Sequence, residues 1–578
     1  MTKKNVNLDA IFESFYWNQP NESIEDFILT NITHRKLEKI VLSELLYFSH
    51  IYRMDKLSAY LLAKGADKAV IGSGIKSLGY CKFISENPNI PYSSCYSIAA
   101  NYIVRCLVDR LGIYAKLPPV ISFVGSNGKG STLNFIKYLL TEAGYVVHAY
   151  TKPHVIRTNE EMVVANKEIE DAVLYKNLCT AKKVYDTLFQ DPDFIRELKN
   201  KLELDKERGY VNLNFARLRS SWFKFPAFLL ACADSHADFL LLEAHCGGEF
   251  DVTNVFNKHD TVITKVFYSY DHRDMLGKNI TEMASTKARI VSPNSCVIIA
   301  QQDPEVFDII KSTVTEAKPA NIFAQNHGDW GIKKISNNKY SFAGFGSTLT
   351  IKPPKQLLGE HQLTNAATAI AFLYAKGFRF SSALINRAIA KTTFLGRLQR
   401  LPTGLIKKYL PKGIEIILDW GKNSQGLKQT KIFLESQKKK YTYTIASIDT
   451  DEELVECFKT ISSFSDKVIN IPWIYTTYTK DVFRSVVKKK CLYYNSLSGA
   501  LKFVSNDIKK QKLNPKKVRL LLTTTNTDSI GYLYVINGNI KKTSSKGDKI
   551  FAIQNEKNLD RHDFLYTYGH KTKIGYIE

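Results

Sequence analysis

The stretch "VISFVGSNGKGST", residues 120–132, decides how the rest of the chain is read. Val120–Val124 is an apolar run of the length of a short strand covered on both faces. Gly125, Gly128 and Gly130 then crowd a six-residue turn. From Ser131 the pattern is helical, with Leu133, Ile136, Leu139, Leu140 and Ala143 on one face. A buried strand, a glycine turn and a helix in that order form a phosphate cradle, in which backbone N–H groups and the positive end of the helix face an anion. Gly125, Asn127, Gly128, Lys129, Gly130, Ser131 and Thr132 are therefore candidate nucleotide-phosphate-binding residues. Lys129 is placed to meet the β- and γ-phosphates and Ser131 to meet magnesium. The spacing departs from the common G-x-x-x-x-G-K-[ST] loop, because Gly130 separates Lys129 from the two hydroxyls.

Outward from this loop, "YVVHAYT", "DFLLLEA", "TVITKV" and "CVIIA" read as further buried strands alternating with helices. That alternation predicts an α/β fold with a parallel sheet covered on both faces and a ligand crevice at the carboxyl ends of its strands. A second, smaller Rossmann-like α/β unit is expected from about residue 393, with strands "IEIILD", "YTYTIAS", "KVINIP" and "VRLLLTT". The expected organisation is a helical extension over 1–92, an ATP-binding P-loop central domain over 93–392, a C-terminal α/β domain over 393–535 and a polar tail over 536–578. A length of 578 residues accommodates two or three domains, and 44% hydrophobic residues suits a globular protein.

The formal net charge of +24 is spread along the chain, with no basic arm or RNA-recognition signature, so neither nucleic acid nor a membrane is the expected partner. The most apolar window, "FPAFLLACA" at 225–233, is too short to cross a bilayer. Nine scattered cysteines without a C-x-x-C pair suit a reduced, cytoplasmic setting. A monomer is expected.

Several blocks in one order carry a resemblance. "VGSNGKGST" is similar to G-T-N-G-K-G-S, and "YTKPHVIRTNEEM" (150–162) to Y-T-S-P-H-L-x-R-x-N-E-R-I. "LLEAHCGGEFDVTNV" (241–255) resembles L-E-V-G-L-G-G-R-L-D-A-T-N-V, and 262–290 resembles the stretch with L-D-H, L-G and E-K-A-G-I. "LLGEHQLTNAATAIA" (357–371), "LGRLQ" (395–399) and "ILDWGKNSQG" (417–426) resemble L-x-G-x-H-Q-x-x-N-A-A-T-A, G-R-L-Q and L-D-G-A-H-N-P. These are the signatures of the folylpolyglutamate synthase and dihydrofolate synthase family, within the Mur ligase superfamily. The resemblance covers roughly residues 95 to 530.

The resemblance implies an ATP-dependent amide ligase that joins L-glutamate to a folate or pteroate-type carboxylate through an acyl phosphate. It implies that Ser131 and Glu243 hold magnesium, that His272 holds a second ion, and that Lys287 is the lysine carbamylated in the family. It also implies that Asn365, Arg397 and Asp419 contact ATP, and that Lys152, Pro153, His154 and Lys422 line the substrate side. Lys129, Glu243, His272 and Lys287 are the catalytic candidates.

The chain departs from the family pattern at definite places. Lys152 stands for Ser, Glu161 for Arg, Lys224 for Glu and Ala227 for Thr. Glu249 stands for Arg, Thr286 for Glu, Arg289 for Gly and Lys422 for His. Three readings stay open on the sequence: the family reaction, a diverged ligase with another acid or amine, and a fold-retaining protein that acts through binding.

Overall fold

The structure, a computed structural model, describes residues 22–33, 37–51, 54–66, 97–155, 158–208, 220–268, 276–336, 338–448, 451–472 and 491–525, with single positions 483, 530, 532, 533 and 537. His272 and nearly all of the expected tail lie outside them.

Eight strands form the larger sheet, in the order 167–168, 162–164, 147–150, 239–243, 120–124, 260–263, 296–299 and 321–324. The six strands from 147–150 onward pair in parallel, and the first two form an antiparallel edge. The central strand Val120–Val124 is buried at every position. Its neighbour shows why the run is continuously apolar. Leu240 and Leu242 enter the core beneath helices Ile98–Leu111 and Ser220–Ala233, while Leu241 enters the core beneath Lys129–Glu142 and His361–Ala375. Alternate side chains thus serve two helical layers. Helix Ile98–Leu111 starts on Ser97, whose side chain accepts from Ala100 N, and stops at the left-handed Gly112.

A three-stranded antiparallel sheet over Trp330–Ser336, Lys339–Gly344 and Ser347–Ile351 follows; the sequence reading did not foresee it. The last sheet has six strands in the order 399–400, 415–420, 518–524, 441–447, 467–470 and 491–493, parallel except at the first pair.

The helices Glu22–Ile32, Lys39–Ile51 and Asp55–Ala63 do not stand apart as an extension. Ile28, Leu45, Phe48 and Leu61 share one buried core with Leu418, Tyr443, Leu501 and Leu520 of this last sheet and its helices. Buried Glu44 fixes the seating. Its carboxylate accepts from Leu497 N and Ser498 N, both at 2.9 Å, at the start of helix Leu497–Lys510. Burial raises the Glu44 pKa, and these bonds oppose that shift.

Candidate functional site

The phosphate turn lies at the carboxyl end of the central strand, and its glycines are explained by what they touch. Gly128 has φ +97° and caps helix Lys129–Glu142 in the left-handed conformation. A Cβ at Gly128 would fall 2.8 Å from Asn365 Oδ1. A Cβ at Gly130 would fall 2.7 Å from Phe394 Cε1 and 2.9 Å from Glu243 Oε2. The odd glycine of the loop is therefore the one that lets a carboxylate from the neighbouring strand approach the first helical turn. Lys129 Nζ donates to Gly125 O at 3.0 Å and to Ser126 O at 3.4 Å, so it lies back along the loop. Ser131 and Thr132 are buried, and the Thr132 hydroxyl is buried without a hydrogen-bond partner.

Glu243 ends its strand opposite Phe123 and is buried. Among the described residues it accepts one bond, from Lys152 N at 3.2 Å. Burial raises its pKa, opposed by the charges of Lys129, Arg397 and Lys422 and by the Lys152 amide. A buried carboxylate with a single donor, beside the Ser131 turn, supplies hard oxygens of the kind magnesium takes, so these residues fit that ion. Among the described residues no three His, Cys, Asp or Glu side chains cluster as a metal site.

The second domain reaches the same place. Arg397 Nη1 donates to Trp420 O at 3.1 Å, and its guanidinium stacks 4.1 Å over the Trp420 ring. Asp419, buried at the carboxyl end of strand Glu415–Trp420, accepts from Leu398 N at 3.0 Å and from Thr430 Oγ1 at 2.5 Å. Asn365 Nδ2 donates to Gln362 at 3.0 Å, which leaves its Oδ1 toward Gly128. Lys287 is buried, with Nζ 3.5 Å from Gly125 O. One cleft is lined by Gly125, Lys129, His245, Lys287 and Lys422.

On the substrate side the departures from the family pattern find each other. Glu161 (1% exposed) and Lys224 (8%) form an ion pair at 2.8 Å. Where the resemblance gives Arg and Glu, this chain carries Glu and Lys, so the signs at the two positions are exchanged and the two residues meet as a pair. Burial raises the Glu161 pKa, but Lys224, His154 and Lys152 outweigh it and hold the carboxyl well below the usual range. His154 Nδ1 lies 2.7 Å from Glu161 Oε1. The bond between Lys152 and Pro153 is cis. Glu249 and Arg289, also departures, pair with each other at 3.4 Å nearer the surface.

Sequence reasoning passed over His245, although the signal was present as the "H" of "EAHCGG". Its ring stacks on Tyr150 with centroids 5.0 Å apart, and among the described residues its buried Nε2 has no hydrogen-bond partner. Burial, with Lys152 second, pushes its pKa well below the usual value.

A glycine turn after a buried strand of a parallel sheet, faced by Arg397 from a second α/β unit, is the frame of this site. No protein-family model matches the chain. It is 27% identical over 357 residues to the dihydrofolate synthase/folylpolyglutamate synthase of Bacillus subtilis, covering 60% of this chain and 73% of that protein. The structure of E. coli FolC in complex with DHPP and ADP superposes with a TM-score of 0.63 at 18% identity, covering 81% of this chain and 99% of that one. A bifunctional folylpolyglutamate synthase/dihydrofolate synthase with Mn, AMPPNP and L-glutamate bound superposes with a TM-score of 0.62 at 15% identity, over 80% and 98% of the two chains. The chain is thus similar in sequence to the dihydrofolate synthase/folylpolyglutamate synthases and shares the fold of their solved structures.

Proposed function

We propose that this protein is an ATP-dependent amide ligase that joins L-glutamate to the carboxylate of a folate or pteroate-type acid. The acid's carboxylate oxygen takes the γ-phosphoryl group, giving an acyl phosphate and ADP. The amino nitrogen of glutamate then attacks the acyl carbon, the amide bond forms, and inorganic phosphate leaves.

The carrying observation is the closeness of Glu243 to Gly130, which sets a buried carboxylate against the first turn of the phosphate-loop helix. In this reading Gly125, Asn127, Gly128, Lys129, Ser131 and Thr132 cradle the phosphates, and Lys129 offsets charge on the transferring group. Ser131 and Glu243 would hold magnesium, and His272, which lies outside the described residues, a second ion; the ions would supply charge stabilisation on the phosphates. Asn365, beside Gly128, meets ATP from the loop side, while Arg397 and Asp419 grip it from the second domain, so closure of that domain excludes water. Lys152, Pro153, His154 and Lys422 border the acid and the amine, and Lys287 stands where a carbamate would add negative charge. The nucleotide, metal, acid and amino acid named for the solved relatives support the same assignment.

No helix of the described residues is long and apolar enough to cross a membrane. The test is ADP release by purified protein given magnesium, ATP, L-glutamate and either dihydropteroate or tetrahydrofolate. Release that needs both the acid and glutamate is expected, and silence with all of them together overturns the reading. Lys152 and His245, which alter the substrate wall, favour as a second reading ligation of a different acid, and a panel of carboxylic acids in the same assay would reveal it.

A further inference from the structure

Glu161 does more than balance Lys224. Its carboxylate is ionised, paired with the Lys224 ammonium at 2.8 Å, and an ionised carboxylate only accepts hydrogen bonds. His154 Nδ1, at 2.7 Å, must therefore carry the proton of that bond. His154 N adds a weaker bond to the same oxygen at 3.4 Å. Among the described residues no partner bonds the other ring nitrogen, Nε2, and the side chain is 17% exposed. Thr151 N donates to Glu161 O at 2.8 Å, and Glu160 accepts from Val155 N at 2.9 Å, so both ends of the 151–155 turn are tied to this pair of glutamates. The same turn carries Lys152, whose amide reaches Glu243.

The exchange of charges matters here. An arginine at 161 offers only donors and could not accept from Nδ1–H. With the carboxylate on this side of the pair, the imidazole is locked in one orientation and one tautomer.

We propose that Glu161 is a positioning residue that fixes His154 as the Nδ1–H tautomer, so that His154 Nε2 presents an acceptor to an N–H donor of the substrate. This rests on the ligase reading for what the substrate is, but not for the tautomer. In water a neutral histidine prefers the Nε2–H form, so the lock leaves a trace that needs no substrate.

Three variants separate the roles. The double variant E161R/K224E restores an ion pair with the family's polarity but removes the acceptor. It is expected to keep wild-type nucleotide affinity and melting temperature, yet to raise KM for the acid about tenfold, the scale of one lost charge-assisted hydrogen bond. His154→Gln leaves the Glu161–Lys224 pair untouched, and the same rise is expected, so the test survives if the double variant does not fold. Nitrogen-15 NMR of the His154 ring at pH 8.5 is expected to show Nδ1–H in the wild type. With Glu161→Gln, whose amide can also donate, that preference should relax toward Nε2–H. A wild-type ring in the Nε2–H form, or unchanged acid KM in both E161R/K224E and His154→Gln, would overturn the proposal. Absence of wild-type turnover would instead strike the ligase reading, and the NMR result would still decide the tautomer.

Discussion

Glu243 and Glu161 are both buried carboxylates in the same site, yet their pKa values move in opposite directions. Glu161 is satisfied by its own chain, with Lys224 at 2.8 Å and His154 at 2.7 Å. Glu243 receives a single amide at 3.2 Å and stays costly to ionise. A carboxylate completed from within serves architecture and orientation; one left incomplete beside a phosphate loop is suited to a charge that arrives with the substrate. The residues proposed for the nucleotide side, Lys129, Ser131, Glu243, Asn365, Arg397 and Asp419, match the resemblance, whereas on the proposed acid side Glu161 and Lys224 depart from it and pair with each other.

Lys129→Ala attacks the nucleotide side directly. A fall of about 100-fold or more in ADP formation is expected, read by steady-state kinetics. Gly130→Ala sets a methyl group against Glu243 Oε2 and Phe394. Turnover should drop by about 10- to 100-fold, because the carboxylate must move from the turn, while circular dichroism stays native.

Lys224→Met tests the other side through stability. It leaves Glu161 buried without its ammonium, at a cost of about 3–5 kcal/mol in urea unfolding at pH 7. The sign with pH follows from a depressed folded-state value. The contribution of Glu161 is fully present above its ordinary pKa of 4.5 and is lost as pH falls through the lower folded value, so the gap between wild type and variant should narrow below pH 4.5.

Much of this was legible in the sequence. The loop, its flanking strand and its helix follow one another in a recognisable order, and strands such as Cys296–Ile299 announce themselves as unbroken apolar runs. The pairing of departures was not legible. Glu161 and Lys224 lie 63 residues apart, and nothing local links a loop glutamate to a helix lysine; only the fold shows that two apparent losses are one exchange. The seating of the first helices was hidden for the same reason, since Glu44 and Leu497 are 453 residues apart. The small antiparallel sheet escaped because its strands are half exposed and rich in lysine and serine, which blurs the alternation that marks a strand.

Two smaller effects sharpen the contrast between buried and exposed pairs. Glu44→Ala removes the acceptor for two buried amides and should cost about 1–3 kcal/mol in urea unfolding, with little change in KM for ATP. Arg289→Ala breaks a pair in which the arginine side chain is 50% exposed, and a change within about 0.5 kcal/mol is expected in the same assay.

The central claim is that an intact nucleotide side still drives amide formation past a rewired acid side. The most direct measurement follows ADP and product together, with mass spectrometry of the acid after incubation with magnesium, ATP and L-glutamate. One glutamyl-extended product for each ADP released is the expected result. ADP without a glutamyl product, or neither with any folate or pteroate acid, would contradict it.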